Sequence, residues 1–127
     1  MPITAFDHVN LRTTNVEEMT RWYGDILGFT PGPRPDFNLP GVWLYIGDQP
    51  LVHLVEVRTN PKAGGDVTME HFALRATGMA EFLDLLGSRD IDYSIDPVPG
   101  YPIVQVNFHD PDGNHIHVDF DRAEMPS

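Results

Sequence analysis

The chain repeats itself. Residues 7–12 read DHVNLR and residues 70–75 read EHFALR, so an acid, a histidine, an apolar residue and an arginine recur at an offset of 63. A repeat of this length means that one supersecondary unit is used twice, and every assignment of elements has to satisfy both copies. In the first copy FDHVNLRT (6–13) alternates, with Val9 and Leu11 on one face and His8, Asn10 and Arg12 on the other, as in a half-buried strand. NVEEMTRWYGDILGF (15–29) then has apolar residues at Val16, Met19, Trp22, Tyr23, Ile26 and Leu27, near the 3.6 period of a helix. Asn15 is placed to cap its start and Gly28 to end it. Four prolines in 31–41 make that stretch a surface loop, and strands follow at 42–47 and 50–57 around the turn at Gly47-Asp48.

After a connector at 60–66 the pattern restarts with a strand over MEHFALRAT (69–77) and a helix over 78–91 striped by Met79, Phe82, Leu83 and Leu86. Strands at 93–96, 103–109 and 115–120 complete it, the last two joined by the tight turn DPDG at 110–113. The expected architecture is α+β: one domain over 1–127 built of two βαβββ modules, 1–60 and 66–122.

The net charge of −11 repels phosphate backbones and anionic lipid, which excludes nucleic acid and membrane surfaces as partners. It favours a cationic ligand or a metal. With no cysteine, a transition metal has to be held by nitrogen and oxygen. The amino-terminal stretch has neither a basic start nor an apolar run, and no segment approaches the ~18 apolar residues of a membrane span. A soluble cytoplasmic protein is the expectation.

Placed in the repeat, the histidines fall into pairs. His8 and His71 share a position in the first strand of each module, 63 residues apart, and His53 and His117 share one in the last strand, 64 apart. Each points away from apolar neighbours on its strand. A lone strand histidine is more often a solvent-facing residue than a ligand. Four in repeat-related places point to a metal site.

The order of elements, FDHVNLRT in the first strand, WYGDILGF closing the first helix, EHFALRA opening the second half and DPDGNHIHV at the end resemble the vicinal oxygen chelate superfamily, over nearly the whole chain. This is the group of glyoxalases, bleomycin- and fosfomycin-resistance proteins and extradiol dioxygenases. The resemblance implies two modules whose curved mixed sheets form a cup, a homodimer, a small-molecule substrate, and a divalent metal (Zn, Ni, Co, Fe or Mn) on His8, His53, His71 and His117. It makes His53 and His117 the catalytic candidates. It also exposes a departure, because glyoxalases usually carry glutamates where His53 and His117 stand here, and they use such a carboxylate as a proton shuttle. Three activities stay open: a glyoxalase-type lyase or isomerase, an extradiol ring-cleaving dioxygenase, and a metal-free drug-binding protein.

For the other polar groups, Trp43, Tyr45, Phe37 and Tyr101 are expected to line a substrate pocket with the proline-rich loop as lid, and ordinary aromatic packing is the alternative. Arg12 and Arg75 are repeat equivalents, read as salt-bridge partners or as anchors for an acidic substrate at that pocket. His109 and His115 flank the DPDG turn and read as exposed turn residues. Asp119 shares a face with His117 and is placed to orient its imidazole.

Overall fold

The computed structural model describes residues 1–62 and 65–126, so residues 63 and 64 of the expected connector lie outside it. The chain divides into two compact units, Met1–Lys62 and Ala63–Ser127.

In the first unit, β1 (Val9–Thr13) leads into α1 (Val16–Leu27), followed by β2 (Thr30–Gly32), β3 (Gly41–Ile46) and β4 (Gln49–Glu56). The sheet order is β1-β4-β3-β2, with β1 parallel to β4 and the other pairs antiparallel. The helix starts where the Asn15 side chain accepts from the Glu18 N–H, and it ends where Gly28 turns left-handed at φ 77°. Met19, Tyr23 and Ile26 of α1 are buried with Leu44, Val52 and Leu54 of the sheet, so one sheet face is spent on the helix. The opposite face is free to carry His53. Two expectations shift. The first strand begins at Val9 rather than residue 6, because Phe6 is 76% exposed and has no buried face to continue, which leaves His8 just ahead of the ladder. The loop assigned to 31–41 also hides β2, a strand containing a proline. As the sheet's edge strand, β2 tolerates the missing N–H.

The second unit repeats this plan. Strand β5 (His71–Arg75), α2 (Met79–Ser88), β6 (Ser94–Pro97), β7 (Ile103–His109) and β8 (His115–Asp121) form a sheet of order β5-β8-β7-β6. The pairing senses are the same, with β5 parallel to β8. Its core is Met79, Leu86, Val104, Val106, Phe108, Ile116, Val118 and Phe120, and Phe82 of α2 rests on the Phe108 and Phe120 rings at 5.6 and 5.8 Å. The helix ends three residues earlier than the periodicity suggests, since Asp90 adopts φ 54° just beyond it. It has no side-chain cap of its own. Instead the Glu124 carboxylate accepts from the Gly78 and Met79 N–H groups at 2.9 and 3.0 Å. The architecture is therefore α+β with two βαβββ units, each a four-stranded mixed sheet backed by one helix. No helix among the described residues is long and apolar enough to cross a membrane.

Candidate functional site

In the first unit, register puts Asn10 and Trp43 on either side of His53. The His53 ring lies between two others, stacked on Trp43 at 4.0 Å and on His8 at 3.7 Å, with interplanar angles of 12° and 13°. Its Nε2–H donates to the Pro50 carbonyl at 2.9 Å, which leaves Nδ1 as the free nitrogen. His8 in turn meets the Asp7 carboxylate through Nδ1 at 2.6 Å. Burial pushes the His53 pKa below its ordinary value, helped by the electrostatic influence of the neighbouring His8 and opposed by the Pro50 hydrogen bond. Two nearly parallel rings 3.7 Å apart aim their in-plane lone pairs along parallel planes. Those cannot converge within the ~2.0–2.1 Å of a metal–imidazole bond, so one ring has to turn before His8 and His53 share an ion.

Beside this stack lies a pocket of about 600 Å³. Trp43, His53 and Val55 supply its floor, and Arg34, Phe37 and Leu39 of the proline-rich loop supply its wall. The loop is pinned: the Tyr45 hydroxyl donates to the Pro33 carbonyl at 2.5 Å and the Glu56 N–H donates to the Pro40 carbonyl at 2.9 Å. Of the residues expected to line a pocket, Trp43 and Phe37 do so here. Tyr45 holds the loop instead, and Tyr101 is 65% exposed in the turn before β7. Arg12 and Arg75 are exposed and lie outside this lining, and neither forms an ion pair among the described residues. Arg34 and Leu39 were not signalled by sequence, because loop residues have no periodicity to betray which way they face.

The second unit brings its histidines together with carboxylates. His71 pairs with His115 across β5 and β8, and Ala73 with His117. The His71 ring centre is 5.0 Å from that of His115 and 4.6 Å from that of His117. Glu70 bridges two of them, with one carboxylate oxygen on His71 Nδ1 and the other 3.1 Å from His115 Nδ1. These hydrogen bonds, His71 first, hold the Glu70 carboxyl below its usual pKa. His115 Nε2 meets Asn107 Oδ1 at 2.7 Å. The reading of His115 as an exposed turn residue is thus corrected: at the start of β8, where the sequence puts the strand, it is only partly exposed and is held by Glu70 and Asn107. His109 stays exposed, its ring 5.4 Å from that of His115. Buried His117 donates from Nδ1 to Asp119 at 2.5 Å, so Asp119 does orient the imidazole and leaves its Nε2 lone pair free.

One potential ligand atom from each of Glu70, His71 and His115 lies within 4.8 Å of the others, and nitrogen with carboxylate oxygen is a donor set that suits a divalent transition metal. The residues of this unit therefore fit an ion. Sequence reasoning missed Glu70, although the signal was present: Asp7 and Glu70 each precede a repeat-related histidine and each hydrogen-bonds it.

Against known proteins, a profile of the Glyoxalase/Bleomycin resistance protein/Dioxygenase superfamily matches residues 5–118. The chain is 29% identical to Glyoxylase I 4 of Arabidopsis thaliana over 129 residues, covering 91% of this chain and 70% of that one. It is 31% identical over 118 residues to the Manganese-dependent 2,3-dihydroxybiphenyl 1,2-dioxygenase of Geobacillus genomosp. 3, covering 86% of this chain and 36% of that protein's length. The fold matches that of a glyoxalase family protein from Bacillus anthracis with a TM-score of 0.77 at 24% identity, over 95% of this chain and 98% of that one.

Proposed function

Because the chain belongs to the glyoxalase/bleomycin resistance/dioxygenase superfamily, we propose that it is a divalent-metal-dependent enzyme of glyoxalase type, a lyase or isomerase acting on a small substrate through two neighbouring oxygens. The observation that supports this reading is the oriented pair His117–Asp119, which leaves His117 Nε2 unused beside the His71 ring at 4.6 Å. A divalent ion held there would supply a Lewis acid to polarise a substrate carbonyl. In the second unit the proposed ligands are His71 and His117; in the first unit their repeat equivalents His8 and His53 are the candidates, one ring turning out of the stack to bind. Asp119 fixes His117 with Nε2 outward, and the Pro50 carbonyl fixes His53 with Nδ1 outward. His53, its pKa lowered by burial, offers Nδ1 to the ion or to a substrate proton. Zn, Ni, Co, Fe and Mn all suit such donors. We propose a cytoplasmic homodimer; light scattering tests the assembly and cell fractionation the location.

The dioxygenase branch is the second reading. It is favoured by the likeness to the manganese-dependent enzyme and by the two-histidine, one-carboxylate set at Glu70, His71 and His115, which suits non-haem iron. The deciding experiment is metal analysis of the purified protein after loading with each ion, followed by a hemithioacetal assay and by oxygen uptake with a catechol. Stoichiometric metal is expected, with His71→Ala and His117→Ala each lowering affinity about tenfold or more. Metal retained at the wild-type level after both His8 and His117 are replaced would refute the ligand assignment, and absence of metal after loading would favour a metal-free binding protein.

A further inference from the structure

We infer that the pocket of the first unit takes a small planar organic acid, its flat apolar body against Trp43, Phe37 and Leu39 and its carboxylate on Arg34. This deepens the proposed enzyme by naming a substrate class, and it rests on that reading only in calling the ligand a substrate.

In a chain with 19 acidic and 8 basic residues, a half-buried arginine without a carboxylate is an exception that needs a cause. Arg34 forms no ion pair among the described residues. Its Nη2 donates to the Leu39 carbonyl at 2.9 Å, and its guanidinium lies 4.9 Å from the centre of the Phe37 ring. These two contacts hold the group, while Nε is buried with no hydrogen-bond partner. The fold makes room for it: a Cβ at Gly41 would come within 2.9 Å of Arg34 Nη2, and within 2.2 Å of the Leu54 carbonyl oxygen. A planar guanidinium with unused N–H groups matches a carboxylate two bonds at a time, which a point charge does not. The one acid on the pocket wall, Asp7, is already engaged by His8 at 2.6 Å.

The remaining wall is apolar and aromatic. Phe37 and Leu39 stand 50% and 58% exposed, and the Phe37 ring is tilted at 48° to Trp43 with centres 6.2 Å apart. Large apolar side chains held in solvent by a pinned loop gain most from a flat ligand that covers them. A volume near 600 Å³ admits a ligand of one or two rings.

Calorimetric titration of the chelator-treated full chain tests this with three probes of one shape: 2-naphthoate, neutral 2-naphthamide and 2-naphthylmethylammonium. Naphthoate should bind about tenfold or more tighter than the amide, with the ammonium weakest. Arg34→Gln should remove that preference and leave amide affinity unchanged, which also shows the pocket intact. Trp43→Ala should weaken naphthoate and amide alike. Should Arg34→Gln fail to fold, Arg34→Lys carries the test, with the preference reduced because the fork is gone. The proposal is overturned if the ammonium binds as tightly as naphthoate, if the preference survives loss of Arg34, or if no probe binds at millimolar concentration. Since these titrations use metal-free protein, a naphthoate preference in a chain that never takes up metal would sink the enzyme reading and leave this one standing.

Discussion

His53 and His117 occupy the same place in two sheets of the same register, and their neighbours are opposites. Two residues before His53 stands Leu51, and two after it Val55; around His117 the same positions hold His115 and Asp119. Across the antiparallel ladder His53 faces Trp43, whereas His117 faces Asn107. One imidazole therefore stacks in an aromatic wall and donates to a main-chain carbonyl, while the other donates to a carboxylate among further histidines. The backbone decides where a histidine stands. Its neighbours decide which nitrogen it offers and whether a proton or a flat apolar surface is its companion.

If the units share a scaffold and differ only on the histidine face, equivalent positions on the helix face must cost alike. Leu44 and Phe108, equivalents in β3 and β7, are both fully buried. Leu44→Ala and Phe108→Ala should lose about 2–5 and 3–5 kcal/mol respectively in urea denaturation. A large loss in one unit and almost none in the other would break the comparison.

On the opposite face the effects should diverge. Asp119→Ala strands the buried His117 Nδ1–H and should cost about 1–3 kcal/mol, together with loss of the single tautomer seen by nitrogen NMR. Its counterpart Val55→Ala removes no hydrogen bond and should leave the His53 tautomer as it is. Equal losses, or a His117 signal indifferent to Asp119, would count against the carboxylate as the orienting group.

The smallest effect is in the pH dependence of the metal-free protein. With its folded pKa lowered, His53 binds a proton more readily in the unfolded chain, so stability falls as pH drops through the unfolded value near 6.5 and levels off below the folded one. His53→Gln should flatten that slope between neutral and mildly acidic pH. A slope unchanged by the substitution would place the lost protons elsewhere.

Most of the fold is legible in the repeat itself. Strict period-2 alternation in β7 and the capped 3.6-period stripe of α1 placed those elements within a residue or two, because burial of one face writes itself into the sequence. Edge strand β2 has no such face, its three residues being exposed, so its Pro31 and Gly32 read as loop. Among the site residues, His53, His117 and Asp119 were readable from strand parity. His115 was not, because the adjoining turn signal at 110–113 outweighed its own alternation with His117. Nor was the partnership of Glu70 with two histidines, since a side chain one step from its neighbour in sequence is on the other face by parity and reaches back only through its own rotamer. Arg34 depends on the path of a proline-rich loop, which no local pattern encodes.

The borrowed cap of α2 gives the second unit an order of assembly. Among the described residues its first two amides are met by Glu124, 46 and 45 residues downstream, whereas α1 carries its cap in the residue just before it. On a chain made from its amino end, the first helix can close as soon as it emerges. The second has to wait, its leading turn frayed, until almost the whole of its sheet has been made. The tail that follows β8 thus acts as a completion signal for the unit, and in Glu124→Gln the Gly78 and Met79 amides should exchange hydrogen faster than those of the α1 start.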